Sequence, residues 1–159
     1  MRQTLEKEIK SLLRKKQSKK TIYKTLATET NRYELTHLLN NLPLENRRKN
    51  TLPITLFLLL LLVLLTIKQF LFMYLQANSN VSLILGLIGP MIHIYIIREL
   101  MLSHRLAYQI LPLLSLLALF RPENRILPDM YMYICMAGLS GLLYLFLFPK
   151  SEQLPVPTR

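Results

Sequence analysis

The chain has few of the residues that bind metals or form disulfides. It contains one cysteine, Cys135, and three histidines in 159 residues. One cysteine excludes an intrachain disulfide, and no CxxC pattern or His/Cys cluster indicates a metal site. The phosphate-binding patterns GxxxxGKS/T and GxGxxG and the zinc motif HExxH are missing as well. We therefore expect no metal and no cofactor.

Acidic residues are scarce too, because nine Asp and Glu stand against twenty Lys and Arg, for a net charge of +11. Residues 1–52 hold thirteen of the basic side chains and five of the acidic ones. The composition is 52% hydrophobic with only four glycines, which allows one compact unit and a small appendage. Little length remains for a separate catalytic domain.

Long hydrophobic segments begin after residue 52. From Pro53 to Leu75 the chain is long enough to cross a hydrocarbon layer of about 30 Å, with Lys68 and Gln69 as the strongly polar interruptions. Three more apolar stretches follow, so the sequence predicts an all-α integral membrane protein with four transmembrane helices. Their expected bounds are about 53–75, 81–97, 106–120 and 130–148. The third stretch is short and carries Pro112, so a re-entrant segment is its alternative.

These segments divide the chain into a basic helical domain at 1–50, a four-span domain at 51–149 and a mobile, proline-rich tail at 150–159. Lysine and arginine precede the first span and recur after the second, whereas the loop around Asn78 has none. By the positive-inside rule, both termini face the cytoplasm, in an inner or plasma membrane. The loop at 121–129, which contains two arginines, fits this topology least well.

The first fifty residues have the periodicity of three short helices. Ser18 is the expected N-cap of the second helix, and the third ends before Pro43. Such a small bundle has a marginal core, so we expect it to gain stability from the membrane surface, from self-association or from a partner. The predicted apolar faces are Leu5, Ile9, Leu12 and Leu13 in the first helix and Leu35, Leu38, Leu39 and Leu42 in the third.

Six cations cluster in the first two of these helices. We interpret them as contacts for anionic lipid headgroups, each contributing about 1 kcal/mol near such a surface, or for a protein partner. A DNA-binding interpretation would use residues 31–42 as a recognition helix, but that helix offers few side chains suited to reading base edges. Nucleic acid is therefore the less favoured partner. The six residues are Arg14, Lys15, Lys16, Lys19, Lys20 and Lys24.

Three polar side chains fall inside the predicted spans. Lys68 lies in the outer half of the first span, where its side chain reaches the headgroups or pairs with Glu123 or Asp129. His93 lies in the second span and Gln109 in the third. A histidine in a span either bonds to a neighbouring helix, which is the commoner case, or belongs to a functional pathway.

The fourth span contains the sequence Gly138-Leu139-Ser140-Gly141. This stretch resembles the serine-bearing GxSG helix of rhomboid intramembrane proteases, which implies a nucleophilic role for Ser140. In that family the base is a histidine on a later transmembrane helix, and no histidine follows Ser140 here. Small residues also allow close helix packing, so we expect a packing role and no enzyme activity. The predicted packing residues are Gly86, Gly89, Ala137, Gly138 and Gly141.

The favoured function is a small non-enzymatic membrane subunit or anchor, a scaffold that docks a cytoplasmic partner through its N-terminal helices. An alternative is an oligomeric channel, a transporter component or a membrane-disrupting effector, in which Lys68, His93 and Gln109 line a pathway. Four spans are too few to enclose a path alone, so this alternative requires a homo-oligomer. A third hypothesis is a membrane-tethered nucleic-acid binder, whose affinity would fall steeply with salt.

Overall fold

A computed structural model describes residues 2–28, 32–76 and 80–155, with residues 2–4, 76, 80–85 and 122–123 described by their backbone alone. Short 3-10 turns lie at Pro122–Arg125 and Lys150–Glu152. No strand occurs in these ranges, which confirms the all-α class. The helices are α1 Arg2–Arg14, α2 Lys19–Leu26, α3 Arg32–Asn41, α4 Glu45–Gln76, α5 Asn80–Met101, α6 Arg105–Ala118 and α7 Asp129–Leu147.

Helices α1 to α3 form a small unit because each presents an apolar stripe to the others. Ser18 caps α2 as expected, since its hydroxyl accepts a hydrogen bond from the backbone N–H of Thr21 at 3.2 Å. Leu154, from the other end of the chain, also enters the core of this unit. The buried core consists of Ile9, Leu13, Ile22, Leu35, Leu38, Leu39, Leu42 and Leu154.

Helices α4 to α7 pack as an antiparallel four-helix bundle. Short connections make neighbours in sequence neighbours in space, and α7 returns to pack against α4. The antiparallel register is visible where the start of α4, at Arg47, contacts the end of α7, at Phe146. The buried core consists of Leu58, Leu62, Leu65, Ile96, Leu100, Ala107, Tyr108, Leu111, Tyr133, Met136, Leu143, Leu147 and Phe148.

The outside of this bundle is apolar. Large side chains such as Leu56, Ile67 and Leu75 are exposed along α4, and Leu142 and Leu145 are exposed on α7. Two helical segments, Glu45–Leu75 and Asp129–Leu147, are long and apolar enough to cross a membrane, and only 22% and 28% of their most apolar windows are buried. A core helix of a soluble protein would bury most of that surface.

Four helices therefore occupy the four predicted segments, within a few residues of the expected bounds except that α4 starts at Glu45. Two of them have the length and composition of a membrane span, while α6 is shorter at 14 residues. The helical bundle and the two candidate spans are confirmed in the described part of the chain. A complete four-span arrangement is not, and it belongs to the proposal below.

Candidate functional site

The α1–α3 unit is attached to one end of the bundle, where α4 begins and α7 ends. We call this contact region the junction. It is formed by Glu6 and Asn40 of the small unit, by Arg47 and His104 of the bundle, and by residues 150–155. Hydrogen bonds and ion pairs of polar side chains connect the two parts here, together with the buried side chain of Leu154.

Residues after α7 connect the α1–α3 unit to the bundle at the junction. The Asn40 side-chain amide donates to the Leu154 carbonyl at 2.9 Å, and the Leu154 N–H donates to the Asn40 Oδ1 at 2.8 Å. Arg47 donates to the Glu152 carboxylate at 2.8 Å and to the Phe146 carbonyl at 2.6 Å. The first part of the proline-rich tail therefore packs on both the small unit and the bundle. The mobility of the tail at 150–159 stays a prediction, and residues 156–159 lie outside the described ranges.

His104 joins the small unit to the turn between α5 and α6. Its Nδ1 lies 2.7 Å from the Glu99 carboxylate and its Nε2 lies 3.4 Å from the Glu6 carboxylate. Lys10 donates to Glu6 at 2.5 Å, and this hydrogen bond is the main reason that the pKa of Glu6 lies below its usual value of 4.5. The His104 imidazole thus links the Glu6 and Glu99 carboxylates across the junction, while Lys10 pairs with Glu6 within α1.

Lys19 differs from the other predicted surface cations because it is buried in the junction, with 5% of its surface exposed. Burial disfavours the charged ammonium and lowers the pKa of Lys19 from 10.5 to about 8. The Glu152 carboxylate opposes this shift, while Arg105 and Arg47 add to it. This lysine therefore belongs to the interior of the junction and not to an outer docking surface.

The other five predicted cations are exposed and form what we call the basic face, on the end of α1 and on α2. No aspartate or glutamate occurs between residues 9 and 28, so this stretch carries positive charge only. The basic face consists of Arg14, Lys15, Lys16, Lys20 and Lys24.

The opposite end of the bundle holds two of the three predicted intramembrane polar residues. Lys68 forms an ion pair with Asp129, whose residue is 6% exposed, while 54% of the Lys68 side chain remains accessible. His93 Nδ1 lies 3.4 Å from the Thr66 hydroxyl, which itself donates to the Leu62 carbonyl. Each side chain thus has a partner on a neighbouring helix.

Gln109 lies nearer the junction, away from Lys68 and His93. It is exposed and donates to the Tyr144 hydroxyl at 3.0 Å, as does Arg105 at 2.7 Å. The structure therefore does not bring the three predicted pathway residues together within one chain. They belong to three separate contacts between helices.

The small residues fall into two groups. A Cβ added at Gly86 would lie 3.0 Å from Met73, and one added at Gly89 would lie 3.2 Å from Gln69, so both glycines allow α5 to approach α4. A Cβ at Gly138 or Gly141 would meet nothing within 4 Å. Ala137 is half-buried.

Ser140 is fully buried on α7. Its hydroxyl donates to the Met136 carbonyl of the same helix and lies 3.3 Å from the Ala137 carbonyl. The bundle histidines contact other groups, as described above. Within the described residues, no group of three or more His, Cys, Asp or Glu is arranged to hold a metal ion.

No protein-family model matches the chain, and no curated protein or solved structure matches it. The fold alone therefore defines the class: an all-α protein in which a basic three-helix unit is attached to an apolar bundle.

Sequence reasoning missed Asn40, Arg47 and Glu152, which connect the two parts, and it gave His104 no role. The one available signal was Glu152, a lone acid directly after the last span.

Proposed function

We propose that the protein is a small integral membrane anchor or subunit that holds a cytoplasmic partner through its basic face. Helices α4 to α7 cross the bilayer, and both termini lie on the cytoplasmic side. The observation that carries the proposal is that the α1–α3 unit is fastened to the bundle on one side while the basic face remains exposed.

Membrane insertion is supported by the exposed leucines and isoleucines around the bundle. Water would leave this apolar surface unfavourably hydrated, whereas acyl chains would cover it. Positive charge concentrates at the junction end, which the positive-inside rule places in the cytoplasm. The length of α6, about 21 Å at 1.5 Å per residue, fits a locally thinned bilayer or a helix that stops short of the outer interface.

A holding function is supported by the contacts in the bundle. The buried hydroxyls of Thr66, Ser115 and Ser140 each donate to a carbonyl of their own helix. Lys68 and His93 have partners as well, so within the described residues these polar side chains belong to separate contacts between helices of one chain. A packed bundle holds the basic face at a fixed position at the membrane. By charge complementarity, the partner that binds this face presents an acidic surface.

The test is affinity purification of the full-length protein in mild detergent, followed by native mass measurement of the eluate. A variant that replaces Lys15, Lys16, Lys20 and Lys24 with glutamine should lose a stoichiometric protein partner. The control variant, Arg121→Gln with Arg125→Gln, removes cations from the far end of the bundle and should keep it. Equal retention of the partner by both variants would contradict the docking role.

The alternatives give different outcomes in the same preparation. A pure homo-oligomer that conducts ions in planar bilayers, and loses conductance when Lys68 and His93 become leucine, would favour the channel hypothesis. Duplex DNA binding that weakens steeply with salt would favour the nucleic-acid hypothesis. Release of the wild-type chain from membranes by alkaline extraction would overturn the anchor itself.

A further inference from the structure

A groove of about 250 Å³ opens on the side of the bundle near the junction, between α4 and the turn that joins α5 to α6. One end of it is lined by the polar residues Arg48, Thr51 and Ser103. The other end is apolar, with Leu56 and Leu59 in its wall. The remaining lining residues are Leu52, Thr55, Leu100, Met101, Tyr108 and Leu147.

The polarity changes along α4 in the direction that a lipid would require. Arg48 lies near the helix start, and Leu59 lies eleven residues later, about 16 Å deeper at 1.5 Å per residue. The expected first span begins at Pro53, five residues after Arg48, so Leu59 lies about 9 Å inside the hydrocarbon layer. The groove therefore extends from the headgroup region into the upper part of one leaflet.

The chemistry of the polar end selects the headgroup. Arg48 is the cation of the lining, and no acidic residue lines the groove. Its nearest carboxylate, on Glu45, lies 3.9 Å away at the limit of an ion pair, so the guanidinium keeps donors available for a phosphate. Tyr108 and Thr55, whose hydroxyl oxygens are 3.3 Å apart, lie between the polar and the apolar end of the lining.

We propose that this groove binds one anionic phospholipid of the cytoplasmic leaflet, with its phosphate on Arg48 and part of an acyl chain along Leu56 and Leu59. The volume is too small for a whole lipid, so the headgroup and the second chain remain outside. The proposal rests on the membrane placement proposed above. It goes beyond that placement because it assigns a lipid-binding site whose residues differ from those of the basic face.

The test is native mass spectrometry of the full-length protein in detergent with added dioleoyl phosphatidylglycerol. Arg48→Gln should weaken the binding of the first lipid about fivefold, whereas Lys49→Gln, an exposed neighbour outside the groove, should not. Leu56→Trp should block the groove, while Leu60→Trp, exposed on the same helix but outside the lining, should leave binding unchanged. Dioleoyl phosphatidylcholine should bind more weakly than phosphatidylglycerol.

Equal losses in Arg48→Gln and Lys49→Gln would overturn the proposal, because they would indicate diffuse electrostatic attraction. Equal affinity for the two lipids would overturn it as well. Alkaline extraction of wild-type membranes separates this failure from that of the anchor. A chain that resists extraction but shows no difference between the variants disproves the groove alone.

Discussion

Asn40 and Leu154 exchange two hydrogen bonds although 114 positions separate them in the chain. The amide of Asn40 pairs with both the N–H and the carbonyl of Leu154, and the Leu154 side chain is buried in the core of α1–α3. The end of the chain therefore holds the N-terminal unit by polar and apolar contacts together. A three-helix core of this size is marginal alone, so we expect these contacts of Leu154 to add to its stability.

Replacing Asn40 with alanine should remove the two hydrogen bonds to Leu154. Both backbone groups of Leu154 would lose their partner, at a cost of about 1–3 kcal/mol. Hydrogen exchange of residues 150–155 in the full-length protein should then accelerate, whereas Asn50→Ala, at an exposed position on α4, should leave it unchanged. Unaltered protection in Asn40→Ala would show that Leu154 is held by its side chain alone.

The Lys68–Asp129 ion pair should stabilise the far end of the bundle. Lys68→Leu leaves the buried Asp129 carboxylate without its cation, which we expect to cost about 1–3 kcal/mol, less than a fully buried pair because Lys68 is half-exposed. Thermal unfolding in detergent measures this loss. A double-mutant cycle with Asp129→Asn isolates the pair, and additive effects of the two substitutions would contradict a direct interaction.

Much of the fold could be predicted from the sequence because its signals are local. Ser18 ahead of an apolar-periodic segment identified a helix start, and the four long apolar segments identified the helices of the bundle. The extension of α4 back to Glu45 was missed, because polar residues ahead of Pro53 were assigned to a separate domain. Two candidate acidic partners for Lys68 were also visible; Asp129 pairs with it, and the side chain of Glu123 lies outside the described part of the chain.

The junction could not be predicted, because it depends on contacts between distant parts of the chain. No local pattern places Leu154 in the core of the first three helices. Lys19 sits in a run of exposed cations, and only the packing of residues 150–155 and the bundle around it shows that it is buried. His104 likewise gains its two carboxylate contacts from separate helices, α1 and α5.

The two pairs of glycines should respond differently to substitution. Gly86→Leu forces side-chain atoms against Met73 of α4, and overpacking of this kind costs about 1–3 kcal/mol. A Cβ at Gly138 meets nothing within 4 Å, so Gly138→Leu should not destabilise the single chain and should gain up to about 1 kcal/mol from the better helix propensity of leucine. Thermal unfolding of the two variants side by side tests the difference. Equal destabilisation would mean that Gly138 packs against a second molecule.

The burial of Lys19 predicts an alkaline increase in stability. Its pKa is 10.5 for the free side chain and about 8 in the folded protein, so between these pH values the unfolded chain binds more protons and the free energy of unfolding rises with pH. Below pH 8 both states are charged, and the folded state bears the whole cost of burying the ammonium, up to about 3 kcal/mol. Lys19→Met should therefore stabilise the protein at pH 7, and a little more than half of this gain should be lost at pH 9.5. Thermal unfolding at both pH values measures this, with Lys20→Met as the exposed control. A variant Lys19→Met that is less stable than wild type at pH 7 would show that attraction to Glu152 outweighs the cost of burial.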